Sequence, residues 1–235
     1  MTGYFAMPMT GAEPPLSDLE RAVQESTHRF AAEVMRPIGP VLDRMPAGDV
    51  IAAGSPLWEV LGKAAGLGLS ITALMELPPV ERVRLLAIAT EELGWGDGGL
   101  AGIILCNNFP VMYSLLAGNT AMAQYGEGKL GCWAITEPDH GSDMLHPDCD
   151  IGAQGKPYGQ PNCVARIVGD KVVVNGQKSA WVSGAMTAQV CALFCHHVDE
   201  QGRTGPGVAV IVPLDLPGVT RGKPLDKIGF RAMNQ

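Results

Sequence analysis

The sequence predicts an α+β chain in two parts, an N-terminal α-helical domain over residues 1–130 and a small antiparallel β-barrel or sandwich over residues 131–235. Three features point there. A capping box, a Ser-Pro opening and a Pro-Pro opening introduce runs with helical apolar spacing in the first half. From about Gly131 onward, short β-branched and aromatic segments alternate with Gly, Pro, Asn and Asp. The 235 residues, 46% of them hydrophobic, are enough for a real core.

The first helix opens at Ser17, with Glu20 three residues on as a capping box. Leu19, Val23, Phe30 and Val34 then recur at helical spacing until Pro37 is expected to stop the run. Ser55 and Pro56 open a second helix, with Leu57, Trp58, Leu61 and Ala64 apolar before Gly66. Pro78 and Pro79 open a third, which is expected to carry Val83, Leu86, Thr90 and Leu93 inward and to end at Gly94. Further helical turns are expected between Leu100 and Tyr125, broken near Pro110 and Gly118.

In the second part the expected strands are Cys132 to Thr136, Val164 to Val168, Lys171 to Asn175, Ser179 to Ser183, Val190 to His196 and Val208 to Val212. Val168-Gly169-Asp170-Lys171 reads as a hairpin turn, and Met144 to Asn162 as a long loop.

Composition excludes several classes. A formal charge of -7 with only 17% charged residues offers no basic surface for nucleic-acid phosphates. The most apolar window, Gly98 to Gly118, is interrupted by Asn107, Asn108 and Pro110, so no membrane span is expected there. Met1 to Pro15 has neither a secretory nor a transit pattern, and the expected location is cytoplasmic. Cys106, Cys132, Cys149, Cys163, Cys191 and Cys195 are too sparse for a disulfide scaffold and are expected to be reduced. In Cys191-Ala192-Leu193-Phe194-Cys195-His196-His197 both cysteines fall on one face of a strand beside Leu193, which favours a buried apolar face over a metal site.

The segment richest in chemistry is Trp133-Ala134-Ile135-Thr136-Glu137-Pro138-Asp139-His140-Gly141-Ser142-Asp143, a strand running into a polar turn. Such a turn presents backbone N–H groups and the Thr136 and Ser142 hydroxyls, which suit a polar heterocycle or a pyrophosphate. An ordinary strand and Asx-type turn would read the same way.

Thr136-Glu137-Pro138-Asp139-His140-Gly141-Ser142-Asp143 resembles the signature of the acyl-CoA dehydrogenases: Thr-Glu-Pro, two variable residues, then Gly-Ser-Asp. Asn175-Gly176-Gln177-Lys178 with Trp181-Val182-Ser183 is similar to the family's second flavin strand, and Asp226-Lys227-Ile228-Gly229-Phe230-Arg231 to its Lys-x-Gly-x-Arg segment. The helix ending in Glu91-Glu92-Leu93-Gly94 also fits the family's N-terminal domain, so the resemblance spans most of the chain.

The resemblance implies an FAD-dependent oxidoreductase that converts an acyl-CoA thioester to a 2-enoyl-CoA and passes electrons to an electron-transfer flavoprotein or similar acceptor, within a homo- or hetero-oligomer. It implies that Trp133, Ile135 and Thr136 lie along the isoalloxazine, with Thr136 on its pyrimidine edge. Ser142 would reach the FAD pyrophosphate or the acyl-CoA chain. On the second strand, Trp181, Val182 and Ser183 would bind the flavin, Trp181 as an aromatic wall and Ser183 as a donor to flavin N5, where hydride charge accumulates. Here Ser179 and Ala180 separate Lys178 from Trp181, one residue more than in many members, and a shifted strand would instead present Ala180 and Val182. Glu137 reads as a structural acceptor in the turn. The family's catalytic base ordinarily comes from a C-terminal helical domain, expected to lie outside these 235 residues. The reading therefore leaves three forms open: a piece of a dehydrogenase, one subunit of a split enzyme, or a non-catalytic flavin-binding or scaffold protein. Flavin monooxygenases and oxidases of the same fold remain the other enzymatic reading.

Overall fold

A computed structural model describes residues 15–141 and 162–235. The first helix, α1 (Asp18–Phe30), begins with the expected capping box: Glu20 N donates to Ser17 Oγ at 3.3 Å and Ser17 N donates to the Glu20 carboxylate at 2.8 Å. Pro37 does not stop the run. A π-helical turn over Ala31–Met35 leads into α2 (Arg36–Leu42), which holds Pro37 in its first turn. Pro37 has no N–H to give, and it follows directly on the π turn, in which Arg36 N donates to Ala31 O five residues back.

Two short helices, α3 (Ala47–Val50) and α5 (Ile71–Glu76), flank α4 (Pro56–Ala64). Ser55 caps α4, its Oγ accepting from Leu57 N at 3.2 Å. By length and apolarity Pro56–Glu76 matches a membrane span, a window the sequence reading passed over. The run is nonetheless broken by a 3-10 turn, Ala65–Leu67, and by Gly68 in the left-handed region at φ 71°.

The inward face of α6 (Pro79–Gly96) differs from expectation. It buries Leu85, Ala89, Glu92 and Leu93, whereas Val83 is 61% exposed and Thr90 faces solvent. Paired charges set this phase: α6 packs on α1 with Arg84 bonded to Glu20 and with the Glu92 carboxylate 2.7 Å from His28 Nδ1. An apolar pattern alone counts both carboxylates as outward, although each is under 9% exposed. The breaks expected near Pro110 and Gly118 separate α7 (Gly98–Cys106), α8 (Phe109–Leu116) and α9 (Thr120–Gly126). Met35, Leu42, Leu57, Leu93, Leu100 and Ile103 are fully buried at the helical core, which Ala232 and Met233 from the far end of the chain complete.

Among the described residues the second part is a five-stranded open mixed sheet, where an antiparallel barrel or sandwich was expected. Its strands are β1 (Gly131–Ala134), β2 (Val164–Val168), β3 (Lys171–Asn175), β4 (Val190–Val198) and β5 (Thr204–Pro213). One edge of β4 pairs in parallel with β1 over Gly131↔Val190 to Ala134↔Leu193, then with β2 at Val164↔His196 and Ala165↔His197. Its other edge carries antiparallel β5, and β2 with β3 forms the expected hairpin through Gly169. Side-chain alternation is the same for parallel and antiparallel neighbours, so the sequence pattern placed the strands without fixing their direction. Ser179 to Ser183 is not a strand. Among the described residues its ladder contact is the antiparallel bridge Trp133↔Ser183.

Candidate functional site

β1 divides its side chains between two faces. Cys132 and Ala134 turn into the sheet core with Val182, Leu193 and Val212. Trp133 turns the other way and packs edge-on against Phe109 of α8, with ring centroids 5.1 Å apart, and against Phe194 of β4 at 6.4 Å. Gly131 permits this approach of α8 to β1, since a Cβ there would stand 2.5 Å from Asn107 O and 2.6 Å from Pro110 Cδ. Trp133 Nε1 is a buried donor with no hydrogen-bond partner among the described residues. Phe109 is also part of the wall of a cavity of about 680 Å³ among the helices, lined by Leu61, Ile71, Leu85, Leu93 and Met112. One ring therefore stands between that apolar space and Trp133.

Past the end of β1, Thr136 O accepts from Ser179 N at 2.8 Å, while Trp133 pairs with Ser183. Between these two contacts the chain advances three residues on one side and four on the other. In that four-residue stretch Ser183 comes to stand opposite Trp133. Val182 packs into the sheet core, Trp181 is 63% exposed, and Ser183 is part-buried with its Oγ accepting from Gln235 Nε2 at 3.2 Å. Ile135 and Thr136 are part-buried, and the Thr136 hydroxyl makes no hydrogen bond among the described residues. The structure thus gathers Trp133, Ile135, Thr136, Trp181 and Ser183 at one end of β1 and turns the Val182 side chain away. Ser142 lies outside the described residues, as does most of the expected loop from Met144.

Glu137 is the structural centre of the turn. Its carboxylate accepts from Asn162 N at 2.6 Å, Cys163 N at 3.2 Å and Lys178 Nζ at 2.9 Å, and Lys178 Nζ also donates to Ile135 O at 2.7 Å. The two side chains are 0% and 7% exposed. Glu137 therefore joins the end of β1 to the start of β2 and to the Lys178 segment, as its reading as a structural acceptor anticipates.

The Lys-x-Gly-x-Arg segment is anchored to the helices. Arg231 N donates to Asp43 Oδ1 at 2.9 Å, and Arg231 Nη1 reaches Met45 O. Lys227 Nζ donates to Met233 O at 2.6 Å, and burial pulls the Lys227 ammonium below the usual lysine range. Just beyond, Asn234 holds the Ser183 turn: its O accepts from Gly184 N at 2.7 Å and its Oδ1 from Met186 N at 3.0 Å, while its Nδ2 donates to Thr187 Oγ1 at 3.3 Å. Sequence reasoning missed Asn234 and Gln235, because no local pattern links them to residues about fifty positions earlier. Lys178 stood within a quoted motif but received no role.

Residues 132–235 match the family model for the acyl-CoA dehydrogenase middle domain. Over 231 residues the chain is 28% identical to the short-chain specific acyl-CoA dehydrogenase of Rattus norvegicus mitochondria, covering 92% of this chain and 49% of that protein. It is 31% identical over 157 residues to the probable acyl-CoA dehydrogenase YngJ of Bacillus subtilis, covering 63% of this chain and 37% of that one. Among solved structures it superposes on the butyryl-CoA dehydrogenase of Megasphaera elsdenii with TM-score 0.66 at 20% identity, covering 94% of this chain and 55% of the other. A glutaryl-CoA dehydrogenase from Mycobacterium smegmatis in complex with FADH2 gives TM-score 0.64 at 21% identity, covering 93% and 51%. The chain spans about half the length of the curated relatives it matches over most of its own length. An α+β chain with this fold and this turn is similar to the acyl-CoA dehydrogenases in both sequence and fold. The match to the acyl-CoA dehydrogenase middle domain covers residues 132–235, which hold the three motif segments of that part of the chain.

Proposed function

We propose that this chain is the flavin-facing part of an FAD-dependent acyl-CoA dehydrogenase, which oxidises an acyl-CoA thioester to a 2-enoyl-CoA. The observation that carries the reading is the Trp133↔Ser183 bridge, because it sets two hydroxyls and an exposed indole around the end of one strand. These groups fit an isoalloxazine. Trp181 offers an exposed aromatic surface, and the Thr136 hydroxyl is uncommitted among the described residues. Ser183 Oγ accepts from Gln235 Nε2, which leaves its own proton to be donated outward.

Trp133, Ile135, Thr136, Trp181 and Ser183 would hold the flavin, and FAD would accept the hydride leaving the substrate. Ser183 would place its O–H where negative charge develops, and Thr136 would fix the polar edge. Val182 would take part through its backbone, since its side chain is in the core. Glu137 does not serve as the base, because its oxygens are held by two amides and an ammonium at 2% exposure. The proton would be taken by a carboxylate from a C-terminal helical domain, supplied by a longer form of this chain or by a second subunit. An electron-transfer flavoprotein or similar acceptor would then reoxidise the flavin.

The test is anaerobic. The chain is purified with FAD, joined to or mixed with such a C-terminal domain, and titrated with acyl-CoAs of increasing length while flavin absorbance is followed. Bleaching by an acyl-CoA with 2-enoyl-CoA as product supports the reading. Flavin that resists every acyl-CoA, or that turns over only by reacting rapidly with oxygen, refutes it and favours an oxidase or monooxygenase.

A further inference from the structure

The cavity behind Phe109 has an opening, apolar walls and one uncommitted polar group. It measures about 680 Å³, within the range of small-molecule sites. Its walls come from helices α4 to α8 and from the chain that leads from α9 into β1. Ser70, the N-cap of α5, lines it together with Glu127 and Lys129 just past α9, and all three are exposed. The space therefore reaches the surface at that rim. Inside, Leu86, Ile104, Leu105, Phe109 and Met112 form the wall, and each is only half-buried. Covering apolar surface is favourable in proportion to its area, so such walls favour an apolar occupant over water.

The wall disfavours a charged ligand. Among the described residues its charged members are Glu127 and Lys129, and both are engaged. Glu127 Oε1 accepts from Thr72 Oγ1 at 2.7 Å, while Lys129 Nζ donates to Tyr125 O and stands 4.1 Å from the centre of the Tyr125 ring. A charged group entering here would lose water and find no free counter-ion. Asn107, at the break between α7 and α8, offers something else. It lines the space, its side-chain amide makes no hydrogen bond among the described residues, and its Oδ1 is out of solvent. A buried acceptor left without a donor is costly, and a primary amide carries donors beside that acceptor. Its complement is a neutral group that both donates and accepts. On the inner side the Phe109 ring, 5.1 Å from that of Trp133, stands between the cavity and the end of β1.

We propose that this cavity is a second binding site, for an uncharged amphiphile: an alkyl body against Leu86, Ile104, Leu105 and Met112, with a hydroxyl or amide group on the Asn107 amide. The ligand enters at the rim beside Ser70 and not from the flavin-facing end, which Phe109 closes. No bond is made or broken. Because Phe109 belongs both to the cavity wall and to the contact with Trp133, occupancy is felt at β1. None of this depends on the flavin assignment.

The experiment is calorimetric titration of the full chain, without FAD, with 1-octanol and with octanoate. The expected result is saturable one-to-one binding of 1-octanol, about tenfold or more tighter than octanoate, which brings a charge to the same chain length. Asn107→Leu should weaken 1-octanol binding about threefold to tenfold, the worth of one hydrogen bond. Leu86→Trp should fill the space and abolish binding. Circular dichroism checks that the variants fold, and if Leu86→Trp does not, the Asn107 variant and the octanoate comparison decide. The absence of saturable binding up to the solubility of 1-octanol overturns the proposal, as does octanoate binding equally well. Binding that both folded variants leave unchanged shows partition onto the surface and overturns it too. Displacement of bound 1-octanol by octanoyl-CoA would make the cavity part of the substrate's own space, and so overturns a separate site.

Discussion

Lys178 Nζ and Glu137 Oε1 stand 2.9 Å apart with both side chains almost wholly out of solvent, and through this pair the three segments that build the site are tied to one carboxylate. Removing one partner of a buried pair strands the other charge. Glu137→Ala is therefore expected to destabilise the chain by about 3–5 kcal/mol. Glu137→Gln with Lys178→Met together should cost less than Glu137→Ala alone, because neither leaves a buried charge. Urea denaturation of the variants measures this, and a loss under about 1 kcal/mol for Glu137→Ala would mean that water replaces the clamp.

A second ion pair makes a pH prediction. Arg84 donates to Glu20, and with the Ser17 amide it pulls the Glu20 carboxyl from about 4.5 to about 2. A carboxyl whose folded value is depressed contributes stability that is present above the unfolded value and lost as pH falls toward the folded one. The contribution should therefore be complete above about pH 5 and decay between about pH 4.5 and 2. Arg84→Met should flatten that part of the acid limb relative to wild type. Thermal melts of both across this range check it, and parallel curves would show that Arg84 has no such linkage to Glu20.

The pieces of this fold that were legible in the sequence are those specified locally. Ser17 with Glu20, Ser55 with Pro56 and the Val168–Lys171 turn each fix a boundary through a few neighbouring groups, and the structure has them where the pattern put them. The phase of α6 was misread because Arg84 and Glu92 turn toward partners about sixty residues away. Strand direction was misread because a parallel β1–β4 pair depends on how some fifty intervening residues return. At the site, Trp133, Ile135, Thr136, Trp181 and Ser183 share one end of β1, while the Val182 side chain packs into the sheet core and Ser142 lies outside the described residues. The groups that hold them, Lys178 across to Glu137 and Asn234 across to the Ser183 turn, are long-range contacts that no periodicity encodes.

Gly131 is expected to be intolerant of a side chain, for reasons of space and not of backbone angle. A methyl group would meet Asn107 O and Pro110 at under 3 Å, and both belong to the break that aims α8 at Trp133. Gly131→Ala should cost about 1–3 kcal/mol as overpacking. It should also move α8, changing the contact of Phe109 with Trp133. Denaturation and near-ultraviolet circular dichroism report the two effects, and a variant unchanged in both would show that α8 is not seated as described.

The last prediction concerns the two hydroxyls in a complete, FAD-loaded enzyme. Ser183 Oγ accepts from Gln235 Nε2 and keeps its own proton to donate, whereas among the described residues Thr136 is held through its backbone contact with Ser179. If both donate to the flavin, Ser183→Ala and Thr136→Ala should each slow its reduction by acyl-CoA, since a hydrogen bond to a charge-developing group contributes roughly 1.5–3 kcal/mol. That corresponds to roughly tenfold or more in rate. Ser183→Thr should restore most of the loss, because it keeps the hydroxyl. A purely structural role predicts the opposite pattern, a lower melting temperature with an unchanged reduction rate per bound flavin. Anaerobic stopped-flow separates the two. An unchanged rate in Ser183→Ala alone would mean that the residue added after Lys178 has carried Ser183 away from the flavin, despite its place opposite Trp133.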